Sequence, residues 1–207
     1  MADTAPHSLG IGHLASLVFL HGSHRAGAGP RDILEQYIAA EGHWAVSEYA
    51  RDARDLLVSP LTSDELALIW CAATDGNHGP AQDGVSGREW LQVVHAVTTQ
   101  RGDPAVLDQP HGDPALIARV QKLTSQFTVG REHRFPECPG GIAGVRRVLR
   151  DLAAAGHQDL AFRLFVSMAA HYYMPISASL SQDCAEISRE LGHPDYLVED
   201  IAGMVGR

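Results

Sequence analysis

Twelve histidines and a scattering of carboxylates are the residues of this sequence with chemistry to offer. Three imidazoles fall close together near the start. On a helix, His13, Leu17, Leu20 and His24 share one face, and His21 borders it. Imidazoles facing one pocket can bind a metal or move protons near neutral pH. The H-x-x-x-H and H-E-x-x-H spacings of metal-binding helices are absent, so no metal ligands are assigned, and a His/carboxylate metal protein stands as a third possibility. His171 lies in the apolar stretch 162–173 and shares a face with Leu164 and Met168. A buried imidazole there needs a partner, either a carboxylate or a substrate. Glu41 falls in line with Leu34, Ile38 and Ala45, the face expected to point inward, and Glu48 and Asp52 continue the line. A carboxylate in that position is costly unless it is paired or works with a raised pKa. The plain alternatives are core histidines satisfied by neighbours, and a Glu41 solvated where Gly42 breaks the helix.

Other arrangements are weaker. The loop 75–86 between two helices, ending toward Glu89, has the outline of a helix–loop–helix calcium site. Asp75 to Glu89 spans fifteen positions and Pro80 interrupts them, whereas that loop needs about twelve. A connection, or a lid over a pocket, is the expected reading. Leu17–Gly22 resembles the strand before the oxyanion loop of α/β-hydrolases, but no G-x-S-x-G elbow follows and strands and helices do not alternate. Cys138 near His133 could be a reactive thiol, with nothing to position that histidine as its base. Arg146, Arg147 and Arg150 with Asp151 read as a solvated helix face. There is no G-x-G-x-x-G, P-loop or zinc-ribbon spacing, and no cofactor is expected.

The elements that must position these residues are helical. Thr62 can cap a helix while Glu65 bonds back to it, with Leu61 and Leu66 as the hydrophobic staple; Val85, Ser86, Glu89 and Trp90 repeat the device. Helices follow at about 63–74 and 87–100. Helical periods run from Ile33 to Leu56 after Pro30, from Leu116 to Phe127, from Ile142 to Leu152, from Leu160 to Tyr172, from Leu180 to Leu191 and from Leu197 to Val205. Residues 8–24 could be helix or a short strand. No partner strands are evident, so a helix is expected, after a disordered start over 1–8. Gly156-His157-Gln158-Asp159 and Gly192-His193-Pro194-Asp195 echo each other 36 residues apart, with Gly42-His43 as a looser copy. In each, glycine can end a helix and aspartate can cap the next. The spacing suits stacked helical hairpins.

Composition narrows the classes. A net charge of −9 argues against nucleic acid or an anionic membrane surface as the main partner. The sixteen basic residues include one lysine, Lys122, which reads as coding bias of a GC-rich bacterial genome. No stretch approaches the roughly 20 apolar residues of a membrane span. The run Leu14–Leu20 has no basic residue ahead of it, unlike a secretory signal. The three cysteines are odd in number and have no C-x-x-C spacing. Cys71 and Cys184 read as small buried hydrophobes, Cys138 as an accessible loop thiol, and a reducing compartment, the cytoplasm, suits all three.

Together these observations predict an all-α fold, one globular domain over 1–207 with about eight or nine helices and antiparallel hairpin stacking toward the C-terminus. The expected function is a cofactor-independent enzyme acting on a small molecule, of the elimination, cyclisation or isomerisation type used in bacterial biosynthetic tailoring. Its acid–base residues in an interhelical pocket would be Glu41 as base, His21 and His171 as donors or orienters, then His13 and Asp52. The alternative is a non-catalytic helical scaffold or partner subunit, with another protein or a second copy as its partner.

Overall fold

The structure, a computed structural model, describes residues 10–20, 29–103 and 113–205. Both reciprocal caps form. Thr62 Oγ1 accepts the Glu65 N–H while the Glu65 carboxylate takes the Thr62 N–H, and Ser86 and Glu89 do the same. They start α4 (Ser63–Ala73) and α5 (Gly87–Thr99). Before them come α1 (Ile11–Leu20), α2 (Pro30–Ala40) and α3 (His43–Val58). After them come α6 (Pro114–Thr124), α7 (Gly141–Ala154), α8 (Gln158–His171), α9 (Ala178–Glu190) and the short α10 (Glu199–Ala202). The described residues form no strand; a single isolated bridge joins Ile176 to Val205. The chain is therefore all-helical, with nine helices of ten residues or more among the described residues.

Residues 11–20 are a helix, which settles the ambiguity between helix and strand there. The expected continuous line from Ile33 to Leu56 is corrected. Glu41 takes an extended conformation and closes α2, its N–H bonding to Tyr37 O, and Gly42 then begins α3. The looser Gly-His copy marks this break, and the apolar period on both sides hides it.

Two packing systems meet along α1 and α8. In the first half α5 runs antiparallel to α3: Arg88 at the start of α5 reaches the carbonyl of Leu57 (2.5 Å), and Gly102 beyond its end lies against Ser47. In the second half α6, α7 and α8 stack as successive antiparallel hairpins. Arg146 Nε bonds Phe127 O and Gln121 bonds Arg150 O, so α6 and α7 run in opposite directions. The centre is α8, where every residue from Gln158 to Ala169 is buried. Its Phe162 and Phe165 are fully enclosed, each burial worth about 1.5–3 kcal/mol. A helix buried on all sides also takes polar residues into the interior, here Gln158, Asp159, Arg163 and Ser167; Asp159 and Arg163 are paired, while Gln158 Oε1 meets no hydrogen-bond donor among the described residues. None of the described helices is long and apolar enough to cross a membrane.

The cysteine expectation is overturned. Cys71 in α4 and Cys138 in the loop before α7 form a disulfide, with Cα atoms 6.2 Å apart across 67 residues. Cys138 is buried rather than accessible. Cys184 is the buried hydrophobe expected, its thiol pushed up to about 12 by burial.

Candidate functional site

Polar groups concentrate at both ends of α8. At the N-terminal end Arg163, 1% exposed, donates from both terminal nitrogens to the two oxygens of Asp52, each at 2.6 Å. Its Nε donates to Asp159 at 3.0 Å, one turn back on α8. Arg51 lies 3.4 Å from Asp52 and 3.5 Å from Asp159, and His193 Nε2 bonds the other Asp159 oxygen. The N–H of Ile11 donates to Asp52 at 3.0 Å, while the Cα of Gly10 presses on the ion pair so closely that a Cβ would overlap it. Burial works to raise the Asp159 carboxyl, but the charges of Arg163, His193 and Arg51 and the His193 hydrogen bond outweigh it and hold the group well below the carboxylate range. Burial likewise works to lower Arg163, and Asp159 and Asp52 keep it firmly charged.

This end is an anchor. Asp52, expected as an acid–base residue, here holds Arg163 and the start of α1. The two connector echoes also meet in it, since His193 of the second copy bonds Asp159 of the first. Gly156 and Gly192 do end their helices in the left-handed region, at φ +93° and +79°. The expectation that Asp159 caps the following helix is corrected. His157 precedes α8 without a side-chain cap, and Asp159 lies inside the helix, facing the arginines.

Glu41 and His13 approach each other. Burial pushes the His13 imidazole below its ordinary pKa, and the Glu41 carboxylate pulls it back up in part. Glu41, at the end of α2, is half-buried. It no longer forms a row with Glu48 and Asp52, which lie one turn apart on the separate helix α3. His21 and His24 lie outside the described residues.

The C-terminal end of α8 is open. His171 Nε2 stands 3.7 Å from Asp75 Oδ2, close enough for the charges to interact and longer than a hydrogen bond. Burial pushes His171 below its ordinary pKa; Asp75 opposes this, and the nearby His133 adds to it. His133 stacks on Tyr173, with ring centres 4.5 Å apart and planes within 18°. These two rings, with Gly130, Arg131, Glu132, Met174, Pro175 and Met204, line a cleft of about 800 Å³. Tyr172 fastens the floor. Its hydroxyl donates to Ala72 O at 2.6 Å, burial and Asp75 keep it protonated, and its carbonyl accepts the Gly130 N–H.

The backbone here is unusual in one respect. Helices α4, α7, α8 and α9 end in the same hydrogen-bonded pattern, in which two successive N–H groups turn back onto the last carbonyls. The residue that closes each pattern is left-handed, a conformation that costs an L-residue roughly 1–2 kcal/mol. Gly156 and Gly192 occupy that position after α7 and α9. After α4 and α8 it is held by Asp75 (φ +54°) and Tyr173 (φ +47°), the two non-glycine residues with positive φ in the described chain. Tyr173 puts its ring in the cleft wall, and Asp75 faces His171 at the same end of α8. Comparison with family models, with curated proteins and with solved structures gives no match for this chain. The site must therefore be read from its own geometry.

That geometry pairs an imidazole that burial biases toward its neutral form with a carboxylate able to stabilise it once protonated, beside a second imidazole facing the cleft. Arg131 adds a fixed positive charge at the rim. Among the described residues no group of three or more histidine, cysteine or acidic side chains is arranged to hold a metal ion. Of the residues singled out from the sequence, His171 stands at the helix end beside this cleft without lining it; Asp75, His133 and Tyr173 are not among the catalytic residues expected from the sequence. Asp75 and His133 had been noted in loops. The signal for Asp75 and Tyr173 was the absence of glycine at two helix ends, which becomes legible only once those ends are known.

Proposed function

We propose that this protein binds a small planar molecule in the cleft at the C-terminal end of α8 and transforms it by proton transfer without a cofactor. The observation that carries the reading is the use of non-glycine residues where glycine would cost less: Tyr173, which lines the cleft, and Asp75, which faces His171 at the same end of α8. Backbone strain of this kind gathers at functional sites. His133 faces the ligand as acid or base, the His171–Asp75 pair beside it holds or releases the proton, and Arg131 attracts an anionic substituent. The stacked His133 and Tyr173 rings favour a flat ligand. Elimination, cyclisation or isomerisation of a carbonyl compound needs no more than this, and a tailoring step in bacterial biosynthesis would suit it. The reading keeps the cytoplasm as compartment, where cellular thiols make a disulfide reversible rather than permanent.

The test is a thermal-shift and NMR screen of planar carboxylates and ketones. Binders are expected to perturb the His133 and His171 ring signals, and to be lost in His133→Ala and Tyr173→Ala. Binders untouched by both substitutions would overturn the reading. A second reading, a docking face for another protein, draws on Tyr173 and Val205, which are exposed beside the cleft at 55% and 41%. It predicts co-purification of a partner that Tyr173→Ala releases.

A further inference from the structure

The cleft wall that carries His133 is the irregular segment between α6 and α7. Its residues Arg131, Glu132, His133 and Arg134 are all exposed. Its noncovalent ties run to the ends of α4, α6 and α8, and include the stack of His133 on Tyr173. The Gly130 N–H bonds Tyr172 O, Phe135 packs on the Phe127 and Tyr172 rings, and Pro136 presses on Gly76. The covalent tie is the disulfide from Cys138 to Cys71, in the last turn of α4. That turn leads directly to Asp75, so the bond joins the strand of chain bearing His133 to the helix end bearing the partner of His171. Cys71 is only partly buried, whereas Cys184 is enclosed and its thiol is pushed up to about 12 by burial, so the third cysteine does not compete for exchange.

We infer that the Cys71–Cys138 disulfide is a reversible latch that holds the His133 segment against α4 and so sets whether the cleft is formed. The inference rests on the reading of this cleft as the binding site. A low-molecular-weight thiol, as thiolate, attacks one sulfur and breaks the Sγ–Sγ bond, giving a mixed disulfide and one protein thiolate. A second such thiol displaces the remaining protein sulfur. Two protein thiols and one disulfide of the small thiol result, with two electrons transferred. Without the bond the 128–140 segment keeps only the Gly130, Phe135 and Pro136 contacts, and His133 leaves Tyr173.

Limited trypsin digestion tests the latch without a ligand, because Arg131 and Arg134 lie in the segment. Protein isolated without reductant is expected to show one titratable thiol in denaturant, and three after dithiothreitol. Reduction should speed cleavage after Arg131 or Arg134 about tenfold, since proteolysis follows the population of the open form. Cleavage after Arg119 and Arg189, in α6 and α9, should stay slow and helical circular dichroism unchanged. Cys138→Ser should cleave fast with or without reductant; if it does not fold, the reduced wild type carries the test alone. Three thiols before reduction, equal rates in both states, or equal acceleration in α6 and α9 would each overturn the latch. The planar-compound screen, run on the oxidised protein, decides the binding reading separately. Binders with no redox effect on cleavage sink the latch alone, and a redox effect without binders sinks the binding reading and leaves the latch.

Discussion

Over its first two turns α8 carries Asp159 and Arg163 into ion pairs that are closed to solvent, and at its other end His171 stands in its last turn and Tyr173, just beyond it, lines an open cleft. The two ends belong to one rigid helix and solve opposite problems. At the buried end every charge meets an opposite charge, and the imidazole among them, His193, is bonded to Asp159. At the open end the carboxylate and the imidazoles stand close without neutralising one another, and the backbone is held in a costlier conformation to place them. The contrast teaches that burial alone is a poor guide to chemistry: the most buried carboxylate singled out from the sequence, Asp52, is also the most fully committed to its partners.

The largest effect should come from breaking the buried end. Arg163→Met leaves Asp52 and Asp159 enclosed with only Arg51 and His193, and should cost about 3–5 kcal/mol in urea denaturation. His171→Ala at the other end should cost about 1 kcal/mol or less. Similar losses at both ends would erase the distinction.

A smaller effect separates the helix ends. Gly156→Ala and Gly192→Ala should each destabilise by about 1 kcal/mol, because the added Cβ is strained at positive φ. Tyr173→Gly should do the reverse, leaving stability unchanged or raising it by up to about 1 kcal/mol while removing the ring that His133 stacks on. A marked loss of stability in Tyr173→Gly would show that the tyrosine is there to hold the fold.

The smallest effect is in pH. Folded His171 takes up a proton less readily than the unfolded chain does, so stability present above about pH 6.5 falls as the pH drops through its lowered value. His13 and His95 act in the same direction. Asp159, also lowered, contributes stability above about pH 3.9 that is lost only further into acid. Denaturation followed from pH 8 to about pH 1 should therefore fall in two stages. His171→Gln should shrink the first and leave the second, and an unchanged first stage would remove His171 from the account.

Much of the helical architecture can be read directly from the residues. The Thr62–Glu65 and Ser86–Glu89 boxes mark their helices within a residue, because capping is a local interaction encoded over four positions. The break at Glu41–Gly42 was harder, since apolar residues keep a helical period across it and only Gly42-His43 hinted at a turn. The disulfide and the site depend on tertiary contact. Nothing in the spacing of Cys71 and Cys138 announces that 67 residues will fold back to join them. His133 acquires its meaning only when the end of α8 brings Tyr173 beneath it.

His78, in the connection between α4 and α5, has a consequence for how rigid the molecule is there. The indole N–H of Trp70 points at its Nδ1 (2.9 Å), and its Nε2 lies 2.6 Å from Asp83. An indole can only donate, so the lone pair on Nδ1 is occupied and the single ring hydrogen sits on Nε2, directed at the carboxylate. The imidazole acts as a keystone between a helix and the 3-10 turn Pro80–Asp83. The loop 75–86, expected as a connection or a lid, is thereby tied at its centre to α4 on one side and to the turn on the other.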